Sequence, residues 1–292
     1  MTGLPPAGPA WAGSLMGTSI AATLTLMHGL VWPGLALLLL ATGLLVAFTF
    51  GWLRHRNPSF TQEFMGPWGM VSMGVMALGS AWTTATDLLT PQLITWLIGM
   101  PLAVVVCLRQ LRRFHGAPSF LWGLAVVSPM VAATSGGQLA LVLDSPWAQV
   151  IHIVALGCFV LSLVTGVPLF IRVYVARPRI PAAFAGTAWI PLGIVGQSTV
   201  AAHVVFASPR ADTYGIVMLT LGMPMIAYAA WHFWGRAVRR WAEYTPGWWG
   251  STFPTGTLSL GAAYMGWEQV SAGFLGLLLV HWALCVARFA SR

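Results

Sequence analysis

The placement of arginine along this 292-residue chain is the feature that most constrains its fold. All 14 basic residues are arginine, and 13 of them fall in every second gap between apolar segments. Cytoplasmic loops of multi-pass membrane proteins carry an excess of Lys and Arg. Five basic clusters, one for each pair of helices, therefore predict ten crossings with both termini in the cytoplasm. The clusters are Arg54/Arg56, Arg109/Arg112/Arg113, Arg172/Arg177/Arg179, Arg236/Arg239/Arg240 and Arg288/Arg292, and the acids Asp87, Asp144, Asp212 and Glu268 fall in the alternate gaps.

The composition supports a membrane-embedded chain and excludes other classes. Hydrophobic residues make up 58% and charged residues only 7%, which is too little charge to cover a soluble surface. The formal charge of +8 does not indicate a nucleic-acid partner, because the arginines lie in short loops rather than on one patch. Cys107, Cys158 and Cys285 lie far apart in apolar segments, so they predict core residues rather than metal ligands. The first 25 residues carry no basic residue, and the first span is expected to stay in the mature protein.

Ten segments approach the roughly 20 apolar residues that a spanning helix needs. The connections on the acidic side are short, so consecutive spans are predicted to pair as five helical hairpins, all within one transmembrane domain, 1–292. The fold class is therefore an all-α polytopic membrane protein. The predicted spans are 9–27, 31–53, 66–86, 91–111, 119–141, 146–173, 183–206, 213–236, 247–266 and 268–289.

The odd-numbered and even-numbered spans differ in their content of small and polar residues. The odd spans hold 22 Ser and Thr residues and the even spans hold 8, while glycine numbers 17 against 11. Lipid tails do not reward hydroxyl groups, so such residues collect where helices face each other or face water. The odd spans are therefore predicted to form an inner ring. Tight packing and a water-filled conduit both explain this ring, and the sequence leaves the choice between them open.

Helical spacing and proline suggest which residues of the odd spans face the interior. At 100° per residue, two sets of small and polar residues each share a face of their span. Prolines interrupt three further odd spans and are expected to bend them. Bent helices are tolerated at membrane depth where protein or a water-filled path covers the freed backbone groups. The two sets are Ser14, Thr18 and Thr25 in span 1 and Ser72, Gly79 and Thr83 in span 3, and the prolines are Pro129, Pro191 and Pro254.

Four segments resemble one family of membrane proteins. The run 247–257 (GWWGSTFPTGT) resembles a W-W-x-x-T-F-P signature, and the run 9–18 (PAWAGSLMGT) is similar to the start of the same family. The runs 128–132 (SPMVA) and 189–197 (WIPLGIVGQ) are similar as well. The family contains the bacterial tellurite-resistance proteins, the C4-dicarboxylate (malate) transporters, the fungal sulfite exporters and the plant slow-type anion channels.

The resemblance implies an architecture and a gate. Members have ten helices with cytoplasmic termini, the odd helices surround a pore in each protomer, and three protomers form a homotrimer. A phenylalanine in the T-F-P position closes the pore, and that position here is Phe253. Counted from Gly247, Phe253 lies only about 9 Å along the helix. Either span 9 begins deeper than drawn, or the gate lies toward the cytoplasm.

The resulting prediction is an anion channel or anion transporter of this family in the inner or plasma membrane. Chloride, nitrate, malate, sulfite and tellurite all remain open as substrates. No charged residue is placed inside an odd span, and an uncharged pore suits conduction better than tight binding. No cofactor or metal is expected. The predicted lining is Ser14, Thr18, Thr25, Ser72, Gly79, Thr83, Ser128, Pro129, Pro191, His203, Pro254 and Thr257.

Two alternatives remain beside the channel. The first is a proton-coupled dicarboxylate or sulfite carrier, since no ATP-binding segment is visible and transport must be passive or coupled to an ion gradient. The second is a haem-binding membrane oxidoreductase, because an ionisable group within a span is a functional hypothesis by default. The histidines concerned are His152, His203, His232 and His281, and the sequence pairs none of them at matched depth on neighbouring spans. His203 either lies at the outer mouth of the pore or is a hydrogen-bonded structural residue.

Overall fold

The computed structural model describes residues 3–144 and 146–292. Within these residues the chain forms ten α-helices and no β-strand. Seven helical segments are long and apolar enough to cross a membrane. The other three helices do not meet this criterion. Helices α1 and α9 are too short, with 16 and 13 residues, and α3 is less apolar. The helices are α1 (Ala12–Met27), α2 (Val31–His55), α3 (Met65–Thr86), α4 (Thr90–Arg112), α5 (Gly123–Val142), α6 (Trp147–Ala176), α7 (Ile190–Phe206), α8 (Arg210–His232), α9 (Thr252–Tyr264) and α10 (Glu268–Ala290).

The five odd helices form a closed inner ring. Each packs against the next odd helix along the chain, and α9 packs against α1 to close the circle. Each even helix packs against the odd helix that precedes it, which completes five hairpins. Each odd helix buries half or more of its residues, whereas buried residues are a minority in every even helix. The predicted arrangement of helices is therefore confirmed, and it explains why α1, α3 and α9 do not need to be apolar enough to face lipid.

Every odd helix begins with a short 3₁₀ segment, whereas the even helices begin directly as α-helix. These segments lie at the end of the ring where the arginine-bearing loops are found. The longest two, Ala182–Trp189 and Pro246–Ser251, pack against each other. The other three are Pro9–Trp11, Gln62–Phe64 and Phe120–Trp122.

Two of the prolines expected to bend odd spans have a different role. Pro191 and Pro254 lie in the first turn of α7 and α9, just after the 3₁₀ segments. A first-turn proline breaks no helical hydrogen bond and fixes a backbone angle that suits the helix. The two residues therefore start α-helix rather than interrupt it. Pro129 does lie inside its helix, α5.

Glycines bring α1 and α7 into close contact with α9. A methyl group at Gly17 would overlap the side chain of Thr252, and one at Gly196 would overlap the backbone of Thr257. Gly13 faces the side chain of Trp249. Close approach through small residues is the usual means of packing helices in a membrane. The start of α9 is consequently fixed between its two neighbours in the ring.

The arginines divide the two ends of the helix bundle. Thirteen lie in or just after the last turns of even helices, while Arg210 begins α8 at the opposite end. Positive side chains near helix C-termini interact favourably with the helix dipole. We call these ends the arginine side and the aspartate side, the latter after Asp87, which follows α3 there.

Candidate functional site

Two cavities enter the ring of odd helices from opposite ends. The arginine-side cavity has a volume of about 780 Å³ and opens between the 3₁₀ segments and the C-terminal residues. The aspartate-side cavity has a volume of about 480 Å³ and opens near Asp87 and Gln138. Both cavities are lined mainly by odd helices. A path through the ring must therefore join these two spaces.

Phe253 is the one residue that lines both cavities among the described residues. Its side chain is only 3% exposed. Residues 246–251 run as a partly buried 3₁₀ segment, and α9 begins at Thr252. The α-helical part of span 9 therefore begins five residues after its predicted start at residue 247.

The cavities are separated by one helical turn on each of the other four odd helices. The last arginine-side residue and the first aspartate-side residue are four positions apart in every case, which is about 6 Å along a helix. The pairs are Met16 and Ile20, Met73 and Ala77, Val127 and Val131, and Gly193 and Gln197. We call these eight residues the collar.

The collar around Phe253 is almost wholly apolar. Only Gln197 among its eight residues has a polar side chain. Apolar constrictions close channels by excluding water as well as by bulk. One aromatic ring thus borders a collar made mainly of aliphatic and thioether side chains.

Hydrogen bonds hold the turn that carries Phe253. Ser251 Oγ donates to the carbonyl of Trp248 at 3.0 Å. Thr252 Oγ1 donates to the carbonyl of Trp249 at 2.8 Å. These side chains stabilise the change from 3₁₀ to α-helix directly before Phe253.

His281 on α10 also contacts the turn that carries Phe253. The carbonyl of Ser251 can only accept, so His281 Nδ1 donates to it at 3.2 Å. Thr255 Oγ1 lies 3.2 Å from the same nitrogen. The imidazole is fully buried and packs edge-on against Trp189 and Phe233, with ring centroids 4.8 and 4.9 Å away. This histidine is thus a positioning residue for the start of α9.

A chain of amides lines the aspartate-side cavity. Gln92 Nε2 donates to Ser135 Oγ at 3.2 Å and to Gln138 Oε1 at 2.9 Å. Gln138 Nε2 in turn donates to the hydroxyl of Tyr264 at 2.9 Å. The chain ties α4, α5 and α9 together and makes this cavity much more polar than the collar.

The arginine-side cavity is lined by charges of both signs. Glu63 and Glu243 line it together with Arg288 and Arg292, so the formal charges at this mouth cancel. Five odd helices begin around it, and helix N-termini carry partial positive charge. Tyr244 lines the same cavity, and burial raises the pKa of its phenol to about 12. The phenol therefore stays neutral and adds no repulsion toward an anion.

The predicted lining residues of α1 lie on a different face. Ser14 and Thr18 line a separate apolar groove beside α2 and α10, and Thr18 Oγ1 accepts from Trp282 Nε1 at 3.0 Å. Thr25 is buried, and neither cavity includes it. The hydroxyls of Ser14 and Thr18 donate to backbone carbonyls of the preceding turn, whereas Thr25 Oγ1 has no hydrogen-bond partner among the described residues.

In α3, only one of the three predicted residues lines a cavity. Thr83 lines the aspartate-side cavity. Ser72 donates to the carbonyl of Gly69 within its own helix at 2.9 Å. Gly79 faces Thr95 of α4, where a methyl group would not fit.

Of the other predicted lining residues, some border a cavity and others do not. Pro254 lines the arginine-side cavity. Ser128 Oγ turns toward α4, 3.4 Å from the carbonyl of Ala103. The rest are buried within the ring, outside both cavities, and are Pro129, Pro191 and Thr257.

The four histidines of the predicted spans lie apart. His203 is held between α7 and α8, with Nδ1 2.7 Å from the carbonyl of Thr199 and Nε2 2.9 Å from Asp212 Oδ1. Neither cavity includes His203. His232 contacts Arg236. His203 is thus hydrogen-bonded on both ring nitrogens at the C-terminal end of α7.

Most residues that border the two cavities were not predicted, because polar faces do not mark them. The face of α1 that borders the cavities reads Met16, Ile20, Thr23 and Met27. Its spacing of three and four residues is a helical face, but its residues are mainly apolar. Gly193 and Gln197 carry the same spacing in α7 and were visible in the family run 189–197.

Two threonines of α1 test this assignment of faces. Thr23 lines the aspartate-side cavity and Thr25 does not. After replacement of the native cysteines, Thr23→Cys should react with a small water-soluble thiol reagent much faster than Thr25→Cys. The matched pair differs by two positions on one helix, which is about 200° of rotation. Equal labelling rates would contradict the assigned path.

Comparisons with known proteins agree with this architecture. The model of the voltage-dependent anion channel family matches residues 7–290. The sulfite efflux pump of Arthroderma otae is 31% identical over 177 residues, which are 52% of this chain and 46% of that protein. The sulfite efflux pump of Arthroderma benhamiae is 30% identical over 189 residues, 56% of this chain and 49% of that protein. The chain thus spans about half the length of the curated relatives it matches. A closed ring of five odd helices and a family match over nearly the whole chain lead to one conclusion: this multi-pass membrane protein belongs to the voltage-dependent anion channel family.

Proposed function

We propose that this chain passes small anions across the membrane through the ring of odd helices, with Phe253 as the gate. The observation that carries the proposal is that Phe253 alone, among the described residues, borders both cavities. The collar around it holds no ionisable side chain, so an anion meets no counter-ion that would hold it there. A displaced Phe253 ring would join the two cavities.

Sulfite is the anion that we propose first. Both curated relatives are sulfite efflux pumps, and the aspartate-side cavity of about 480 Å³ has ample room for such an ion. Chloride, nitrate, malate and tellurite are the competing substrates.

Anion flux into liposomes that contain the purified protein tests the proposal. Sulfite, chloride, nitrate, malate and tellurite are compared at equal concentration and equal membrane potential. We expect electrogenic uptake of sulfite above that of protein-free liposomes. Absence of flux for every anion, in the wild type and in a variant without the Phe253 ring, would refute the anion-pathway proposal.

A proton-coupled carrier for sulfite or a C4 dicarboxylate is the second candidate. Two cavities that do not connect are also what a carrier presents between its open states. The two mechanisms differ in coupling. A carrier should accumulate its anion when only a proton gradient is imposed, whereas a channel should follow the electrochemical gradient of the anion alone.

The orientation and assembly follow from the same reasoning. We propose a location in the inner or plasma membrane with the arginine side in the cytoplasm, because of the arginine bias. Reporter fusions in the loop 54–63 should then report the cytoplasm, and fusions next to Asp87 should report the outside. We further propose a homotrimer with one pathway in each protomer. Light scattering of the detergent-solubilised protein should give three times the mass of the 31.3 kDa chain.

A further inference from the structure

Gln197 is the first polar side chain beyond the gate. It follows the collar residue Gly193 by one helical turn, and its neighbours in the same layer, Ile20, Ala77 and Val131, are apolar. An ion that passes Phe253 from the arginine side reaches this amide before any other polar side chain of the collar. Its position therefore differs from that of the polar residues nearer the aspartate-side mouth.

The amide of Gln197 also differs from the other glutamines of its cavity. Gln92 and Gln138 donate to neighbouring side chains and are fixed by them. Gln197 is only 4% exposed, yet its Oε1 has no hydrogen-bond partner among residues 3–144 and 146–292. A buried polar group without a partner costs stability. Gln197 lines the aspartate-side cavity, and no acceptor among the described residues takes the protons of its NH₂ group, so this amide is able to present a donor to an anion there.

Thr134 adds an acceptor beside this donor. Its hydroxyl oxygen lies 3.4 Å from the carbonyl of Gln197 and 3.2 Å from that of Met130. Both carbonyls only accept, so the single hydroxyl proton of Thr134 is committed to them. Thr134 lines the aspartate-side cavity, and no donor among the described residues uses the lone pairs of its oxygen, so this oxygen is able to accept a hydrogen bond. The pair thus offers an N–H donor and an oxygen acceptor to the same space.

We propose that Gln197 and Thr134 form a binding site for a singly protonated oxyanion directly beyond the gate. The amide donates to an anionic oxygen, and the O–H of the ligand donates to Thr134. Hydrogen sulfite has both groups, whereas chloride can use only the donor. The proposal rests on the proposed anion pathway and adds the group that selects among anions.

Flux through an open-gate protein tests the site. In the Phe253→Ala background, the concentration of sulfite that gives half-maximal flux is measured at mildly acidic pH, where sulfite is singly protonated. Gln197→Leu should raise this concentration by at least about tenfold, as expected for loss of a hydrogen bond to a charged ligand. The value for chloride should rise as well. Thr134→Val should raise the value for sulfite only. The control Gln149→Leu, which alters an exposed glutamine of α6, should change neither.

The outcomes separate the site from the pathway. If the Phe253→Ala protein conducts sulfite and Gln197→Leu leaves the half-maximal concentration unchanged, the site is refuted while the pathway stands. If Thr134→Val affects chloride and sulfite equally, the selection for a protonated oxyanion is refuted. If the Phe253→Ala protein conducts no anion, the proposed function itself fails. Gln197→Met, which keeps the length of the side chain, replaces Gln197→Leu if the latter does not fold.

Discussion

Phe253→Ala should raise anion flux by at least about tenfold, since removal of only about 1.4 kcal/mol from a barrier has that effect on a rate. The substitution removes the one described side chain that borders both cavities. Water should enter the collar once the ring is absent, because an apolar constriction holds water out only while it is narrow. Phe253→Leu retains much of the bulk and should give a smaller rise. The measurement is initial flux in liposomes at equal protein density.

The alternative hypothesis is that Phe253 is an ordinary aromatic residue of the core. Truncation of such a residue costs about 3–5 kcal/mol of stability. Phe159 on α6 provides the matched control, since it is 5% exposed, packs against Phe206 at 5.4 Å and borders neither cavity. Phe159→Ala should lower the unfolding temperature without raising flux. If Phe253→Ala behaves in the same way, Phe253 is a core residue and not a gate.

The helix ring was predictable because it depends on patterns that every span repeats. The orientation of a membrane protein requires arginines in the loops on one side of the membrane. Helices that pack inside the protein and do not face lipid can contain many Ser, Thr and Gly residues. The 3₁₀ segments left no such pattern. They depend on individual side-chain contacts, such as those of Thr245 Oγ1, which accepts from the amide of Gly247 and donates to the carbonyl of Ala183 at 2.6 Å. Contacts between residues distant in sequence, here 62 positions, are not encoded in the spacing of either segment.

The lining of the path was less predictable for a physical reason. A helical hydroxyl can donate to a carbonyl of its own preceding turn, as Ser72 does in α3. Such a residue tolerates an apolar neighbour and gives no sign of facing water. A path that is closed by exclusion of water, conversely, needs apolar residues at its narrowest point, and Met16 and Met73 occupy such positions. The polarity of a face therefore failed to mark the path, while the family resemblance did mark Phe253.

Gly193 provides the strongest test of the proposed gate, because it lies in the collar on α7, which packs beside the helix that carries Phe253. A methyl group built there would be 3.7 Å from Val127 and 3.9 Å from Pro254, which are ordinary contacts. The residue is helical, so a larger side chain needs no unusual backbone angle. It would extend into the arginine-side cavity at the level of the gate.

Gly193→Phe should consequently close the path that Phe253→Ala opens. The new ring starts from α7 instead of α9 but enters the same gap, so the double variant should return to within about threefold of wild-type flux; that residual is less than 1 kcal/mol of barrier. Gly157→Phe serves as the control, because Gly157 is exposed on α6 with open space around it. In the Phe253→Ala background this control should leave flux high. A double variant of Gly193 and Phe253 that folds, inserts and still conducts freely would show that the ion passes elsewhere. Closure restored by an aromatic ring from another helix would instead locate the barrier in the collar itself, since the two substitutions share only that space.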